Sequence, residues 1–90
     1  MPKIIFTESY NKRAAKFIKK HRDLISVYEK TLILMEINPK HPSLRIHKLK
    51  GKLSELYSVS INISYRITID FIIQNNVIIP IDIGTHDNVY

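Results

Sequence analysis

The chain has 90 residues, enough for one hydrophobic core and not two, so a single domain over residues 1–90 is expected. It has no cysteine, which excludes disulfides, thiolate metal ligands and a cysteine nucleophile, and its 44% hydrophobic and 24% charged residues exclude a disordered tail. The net charge of +6 is uneven: residues 1–52 carry thirteen of the fourteen Lys and Arg, residues 53–90 only Arg66, and that split makes nucleic acid the first partner to consider.

Lys3-Ile4-Ile5-Phe6-Thr7 is a short β-prone run, and Thr7 or Ser9 can cap the helix that follows. In that helix Tyr10, Ala14, Phe17, Ile18 and His21 form one apolar stripe, while Lys12, Arg13, Lys16, Lys19 and Lys20 fill the other faces. Asp23 is the expected cap of a second helix whose buried stripe is Leu24, Val27, Tyr28, Thr31, Leu32 and Met35. Asn38-Pro39 ends it, since proline disfavours a helical residue before it. The short connection at residues 20–23 predicts an antiparallel helical hairpin.

The second half reads as strands. Tyr57, Val59, Ile61 and Ile63 alternate with Ser58, Ser60 and Asn62, which predicts an apolar side facing the core and a polar side facing out. Residues 66–71 alternate likewise, Gln74-Asn75-Asn76 is a turn, and residues 77–83 form a third strand. Pro80 has no amide proton, so that strand lies at an edge or leaves its proline side unpaired. The expected fold is α+β in the order β-α-α-β-β-β, with a helical hairpin packed on one face of a mostly antiparallel sheet and the other face partly open. Met1-Pro2-Lys3 is followed by only three apolar residues and no apolar run approaches a membrane span of ~20 residues, so a cytoplasmic protein is expected.

Residues 40–52 hold five cations and two histidines around Gly51. They form either a solvated loop and strand edge or a phosphate-contacting segment beside the open sheet face. Of the four histidines, His21 reads as a packing or cap residue and His41 as an exposed loop residue. His47 and His86 each lie beside a sheet element and are the candidates for chemistry. Zinc needs three or four ligands, and without an HxxxH or HExxH spacing no metal site is expected. Arg66 either pairs with Asp70 or Asp82 or presents its fork to a phosphate. Tyr90 is either a frayed end or a platform for a base.

Three pieces, His47-Lys48-Leu49-Lys50-Gly51, Tyr65-Arg66-Ile67 and Gly84-Thr85-His86-Asp87-Asn88-Val89-Tyr90, follow a two-helix half in an order and spacing that resembles the RelE/ParE superfamily of toxin–antitoxin toxins. The resemblance is greatest to the RelE and YafQ-like mRNA interferases. It implies a microbial-ribonuclease-like fold and metal-independent cleavage of mRNA, usually on the ribosome, by attack of a ribose 2′-OH on the adjacent phosphate. That reaction needs a base, a cation for the developing charge and an acid. The resemblance implies His86 as the leading acid–base residue with His47 its partner, and Lys48, Lys50 and Arg66 stabilising phosphate charge. Arg45 and Lys52 then hold the RNA or rRNA backbone, and Tyr90 stacks on a base. Ser60 and Ser64 stand where YafQ-like toxins carry a histidine and an aspartate, and Asp82 stands where they carry an arginine. The implied partners are an acidic, partly disordered antitoxin, mRNA and the ribosome; no cofactor, metal or membrane is implied. A ParE-type inhibitor of DNA gyrase and an inactive toxin-like binding module are the alternatives.

Overall fold

The computed structural model describes residues 1–49 and 56–85. Its elements are β1 (Lys3–Ile4), α1 (Glu8–Lys20), α2 (Ile25–Ile37), β2 (His47–Lys48), β3 (Leu56–Ser60), β4 (Tyr65–Ile72) and β5 (Val77–Thr85). The five strands form one sheet in the order β1-β5-β4-β3-β2, antiparallel except for the parallel pair β1 and β5. The architecture is the expected α+β arrangement, with β2 added as an edge strand. Two residues are too short to show a period, which is why the pattern of residues 40–52 does not announce a strand.

Thr7 caps α1, its hydroxyl accepting from the Tyr10 amide at 3.1 Å, and Lys19 and Lys20 sit at the negative end of the helix. Asp23 caps nothing. It lies in a 3₁₀ turn, Arg22–Leu24, and α2 starts after Leu24 without a side-chain cap. Asn38 ends α2 as expected, its amide donating to the Leu34 carbonyl. The helical stripes meet the sheet in one core, where Tyr10, Ala14 and Met35 pack with Val59, Ile67, Ile69 and Ile78. The odd-numbered residues of β4 thus face the helices, and Arg66, Thr68 and Asp70 face away.

Two features of the sheet depart from strict alternation. β3 stops at Ser60, because the Asn62 side chain accepts from the Ser64 and Tyr65 amides at 2.9 Å each and closes a turn in place of a ladder. Ile63, expected in the core, is therefore 91% exposed. In β5 the register slips: Thr68 pairs with Asp82 but Ile69 with Pro80, leaving Ile81 as the extra residue of a bulge. The bulge lets Ile78 and Ile83 both reach the core despite their odd separation. β1 pairs only with Val77 and Ile78, so from Pro80 onward β5 has a ladder on its β4 side alone, and Arg13 Nη1 donates to the Ile81 carbonyl at 3.2 Å.

A buried tyrosine pair locks the two helices together. The Tyr10 and Tyr28 hydroxyls are 2.9 Å apart, and Tyr10 is fully buried. Burial, then the Tyr28 hydroxyl, pushes the Tyr10 phenol well above its ordinary value of 10.0, and burial raises Tyr28 as well. A phenol raised in the folded state stabilises the fold fully below its unfolded value and loses that contribution as pH rises past it. Stability is therefore expected to fall above about pH 10. Chemical denaturation of the wild type and Tyr10→Phe at pH 8 and pH 11 tests this. The pH-dependent loss should shrink in the variant, and an equal loss in both would contradict it.

Candidate active site

The ladder registers place the candidate residues. His47 pairs with Ser58 and Ser58 with Thr68, so these three form one row across β2, β3 and β4. Ser60, Arg66 and Gly84 form the next row. Paired residues share a face, so both rows lie on the side of the sheet away from the helices. Strand spacings of ~4.8 Å and a rise of ~3.4 Å put the Cα atoms of His47 and Arg66 about 12 Å apart, a gap that an arginine and a histidine side chain span with a phosphate between them.

This face is not open as its pattern suggested. Ser58 is 0%, Ser60 8% and Thr68 4% exposed, so the small polar side chains are enclosed instead of pointing into water. Ser60 is satisfied, its hydroxyl donating to the Asn62 carbonyl at 2.7 Å. Ser58 Oγ, Arg66 Nε, Arg66 Nη1 and Asp70 Oδ1 are buried atoms without a hydrogen-bond partner among the described residues. A buried polar atom left unpaired costs about 1–3 kcal/mol, and more when it is charged. All four atoms belong to residues on the sheet face away from the helices.

Of the two alternatives for Arg66, ion pairing finds no support. The ion pairs among the described residues are Lys12–Glu8 at 3.7 Å and Arg13–Asp82 at 3.8 Å. Asp82 is thus taken by α1, and Asp70 lies four residues along the strand from Arg66, ~13 Å away. A guanidinium whose Nε and Nη1 are buried and unpaired among the described residues is a charged donor that a phosphate oxygen can satisfy.

His47 and Arg45 come from the chain entering the edge strand. Arg45 is left-handed at φ 46° and ψ 45°, which costs a non-glycine residue about 1 kcal/mol and turns the chain out of the 3₁₀ turn Pro42–Leu44 into β2. His47 Nδ1 lies 3.4 Å from the Arg45 carbonyl. His47, Lys48 and Arg45 are all exposed. Lys48 pairs with Tyr57, and Tyr57 with Ile69, so its row belongs to the helix face, opposite His47. The structure therefore places His47 and Arg66 in neighbouring rows of one sheet face, with Arg45 two residues before His47 in the chain and Lys48 on the opposite face. Lys50, Lys52, His86 and Tyr90 lie outside the described residues, and Thr85, the last described residue, ends β5 beside the Arg66 row.

The other histidines are structural. His21 is the C-cap of α1, and its ring lies 4.6 Å from Phe17 and 4.7 Å from Tyr65. His41, expected to be exposed, is half-buried, and its Nδ1 accepts from the Ser43 amide at 3.1 Å. Ser64 is exposed in the turn after β3 and Ser60 is spent on that turn, so neither replaces an acid–base group. Among the described residues no three His, Asp or Glu side chains converge as metal ligands, and no helix is long and apolar enough to cross a membrane. Ser58 is the site residue that sequence reasoning missed. Its pairing with His47 depends on β2, which has no sequence period of its own.

No protein-family model and no curated protein sequence matches the chain. Solved structures do. A metal-bound toxin from Helicobacter pylori superposes with a TM-score of 0.79 at 20% identity over all of both chains. YafQ from E. coli superposes with a TM-score of 0.77 at 12% identity, over all of this chain and 99% of that one. A YoeB–YefM toxin–antitoxin complex from Staphylococcus aureus gives 0.71 at 20% identity, over 96% of this chain and 98% of that one. Likeness at these identities is likeness of fold.

Proposed function

We propose that this chain, which has the fold of the RelE/ParE-type toxins, is the toxin of a toxin–antitoxin pair and cleaves mRNA. The observation that carries the reading is the unpaired Arg66 fork in the same enclosed face as Ser58, one row from His47. In a water-poor site such a guanidinium binds an oxyanion more strongly than it does in water, and needs no reorganisation as phosphorane charge develops. The reaction is attack of the ribose 2′-OH on the neighbouring phosphorus, with loss of the 5′-oxygen and formation of a 2′,3′-cyclic phosphate. One imidazole takes the 2′-OH proton and another returns a proton to the leaving oxygen. His47 and His86 fill these roles, Arg66 holds the non-bridging oxygens with Lys50, and Arg45, Lys48 and Lys52 track the backbone while Tyr90 stacks on a base. The step balances without a metal or cofactor.

The YoeB–YefM complex has a toxin of this fold bound to its antitoxin. By analogy the partner here is an acidic antitoxin, drawn to the +6 chain and ordered as it binds. The competing targets of this fold are told apart by two assays on the purified protein, cleavage of ribosome-bound mRNA and supercoiling by DNA gyrase. Cleavage with unaffected supercoiling is the expected result. Inhibited supercoiling with intact mRNA would replace the reading with gyrase inhibition, and inertness in both would leave a binding module.

A further inference from the structure

Beside the Arg66 row, the end of the sheet and α1 flank an open cleft of about 410 Å³. Arg13, Lys16 and Lys20 of α1 line it, with Gly84 and Thr85 of β5. The Phe17, His21 and Tyr65 rings also line it and form a cluster, with centroids 4.6, 5.1 and 4.7 Å apart. Its acid, Asp82, is engaged by Arg13 at 3.8 Å, and Lys16 and Lys20 make no ion pair among the described residues. Their four-residue separation on one helix sets them ~6 Å apart along the axis, about one nucleotide step.

We propose that this cleft is a second RNA subsite that holds nucleotides beyond the scissile step, with Lys16 and Lys20 on consecutive phosphates and a base against the His21 and Tyr65 rings. The inference rests on the RNA-cutting reading and extends it. Two cations without ion-pair partners among the described residues supply phosphate affinity, and interleaved aromatic rings supply a sequence-tolerant stacking surface, which together characterise single-strand sites. The position fits as well. Tyr65 and Arg66 are neighbours in β4 on opposite faces and Gly84 pairs with Arg66, so the cleft lies round the end of the sheet from the Arg66 side chain. An acidic peptide would satisfy the lysines but has no use for the ring cluster.

The test uses the full chain with fluorescein-labelled 2′-O-methyl RNA, which cannot be cut, as a dinucleotide and as an octanucleotide. Lys16→Glu combined with Lys20→Glu should weaken octanucleotide binding at least tenfold and leave dinucleotide binding unchanged. It should also lower the slope of log K against log salt by about 1.4, at ~0.7 per phosphate contact. His21→Ala should reduce the quenching of a 2-aminopurine placed in the octanucleotide. Lys3→Glu combined with Lys30→Glu changes net charge equally at sites away from the cleft and should cost the octanucleotide no more than about twofold, by screening of distant charges. Equal losses in the two double variants, or no loss in either, would overturn the subsite. Arg66→Met, which should weaken both lengths, separates this result from the parent reading. Loss with Arg66→Met alone removes only the subsite, and failure of the wild type to bind either RNA removes both.

Discussion

Arg66→Met is expected to cut mRNA cleavage by about 10²–10³ without lowering the melting temperature, the loss typical of removing one preorganised oxyanion donor. The two halves of this result come from one fact, the absence of any partner for Arg66 Nε and Nη1 among the described residues. A buried arginine that holds a fold together leaves an uncompensated acid when removed, which costs several kcal/mol. Here no acid paired with Arg66 is left behind among the described residues, and a methionine of similar length replaces an unsatisfied charge with apolar contact. The stability of the variant should therefore equal or exceed that of the wild type. Arg66→Lys keeps the charge and loses the fork, and should recover only part of the rate. A melting temperature that falls in Arg66→Met together with cleavage would assign Arg66 to the scaffold.

His86→Ala is expected to reduce cleavage by about 10²–10⁴, the range for removing a general acid or base, and to abolish growth arrest. The folded state and antitoxin binding are expected to survive the substitution. His47→Ala should impair cleavage as well. His47 is exposed on a two-residue edge strand, so its replacement should cost little stability. Co-expression with the antitoxin, followed by a growth assay and RNA cleavage by the purified variants, measures these effects. Full toxicity of His86→Ala would remove it from the chemistry.

The first helix was legible in the sequence because it has a period, whereas α2 is apolar on several faces and leaves Ile25, Ile33 and Ile37 exposed. The stripe from Tyr10 to His21 and the one from Leu24 to Met35 are the surfaces that pack on the sheet or close its end. The start of α2 was less legible, since Asp23 is as good a cap on paper as Thr7, and only the 3₁₀ turn before it takes that role away. In the sheet, alternation misled in two places for two reasons. Asn62 offers its own carbonyl oxygen to the backbone and ends β3 early, so Ile63 leaves the core. Ser58 and Thr68 read as solvent-facing because they are small and polar, yet both are buried. Pro80 signalled a strand with one side unpaired, and β1 indeed pairs only with Val77 and Ile78 of β5; the bulge at Ile81 carried no such signal. At the site, the sequence could say that Arg66 was the lone cation of its half, with two acids available to it. It could not say that Asp82 would be taken by Arg13 from another element, because that pairing joins residues 69 positions apart.

The central claim, that the Arg66 fork is a phosphate seat, is tested most directly by NMR of the arginine Nε–H groups. The ¹⁵N-labelled protein is titrated with 2′-O-methyl RNA. The Arg66 Nε–H resonance, identified by its loss in Arg66→Met, should shift on binding and its exchange with water should slow, as a donor gaining an oxyanion partner does. An Arg66 resonance that stays in place while the RNA saturates the protein would contradict the account.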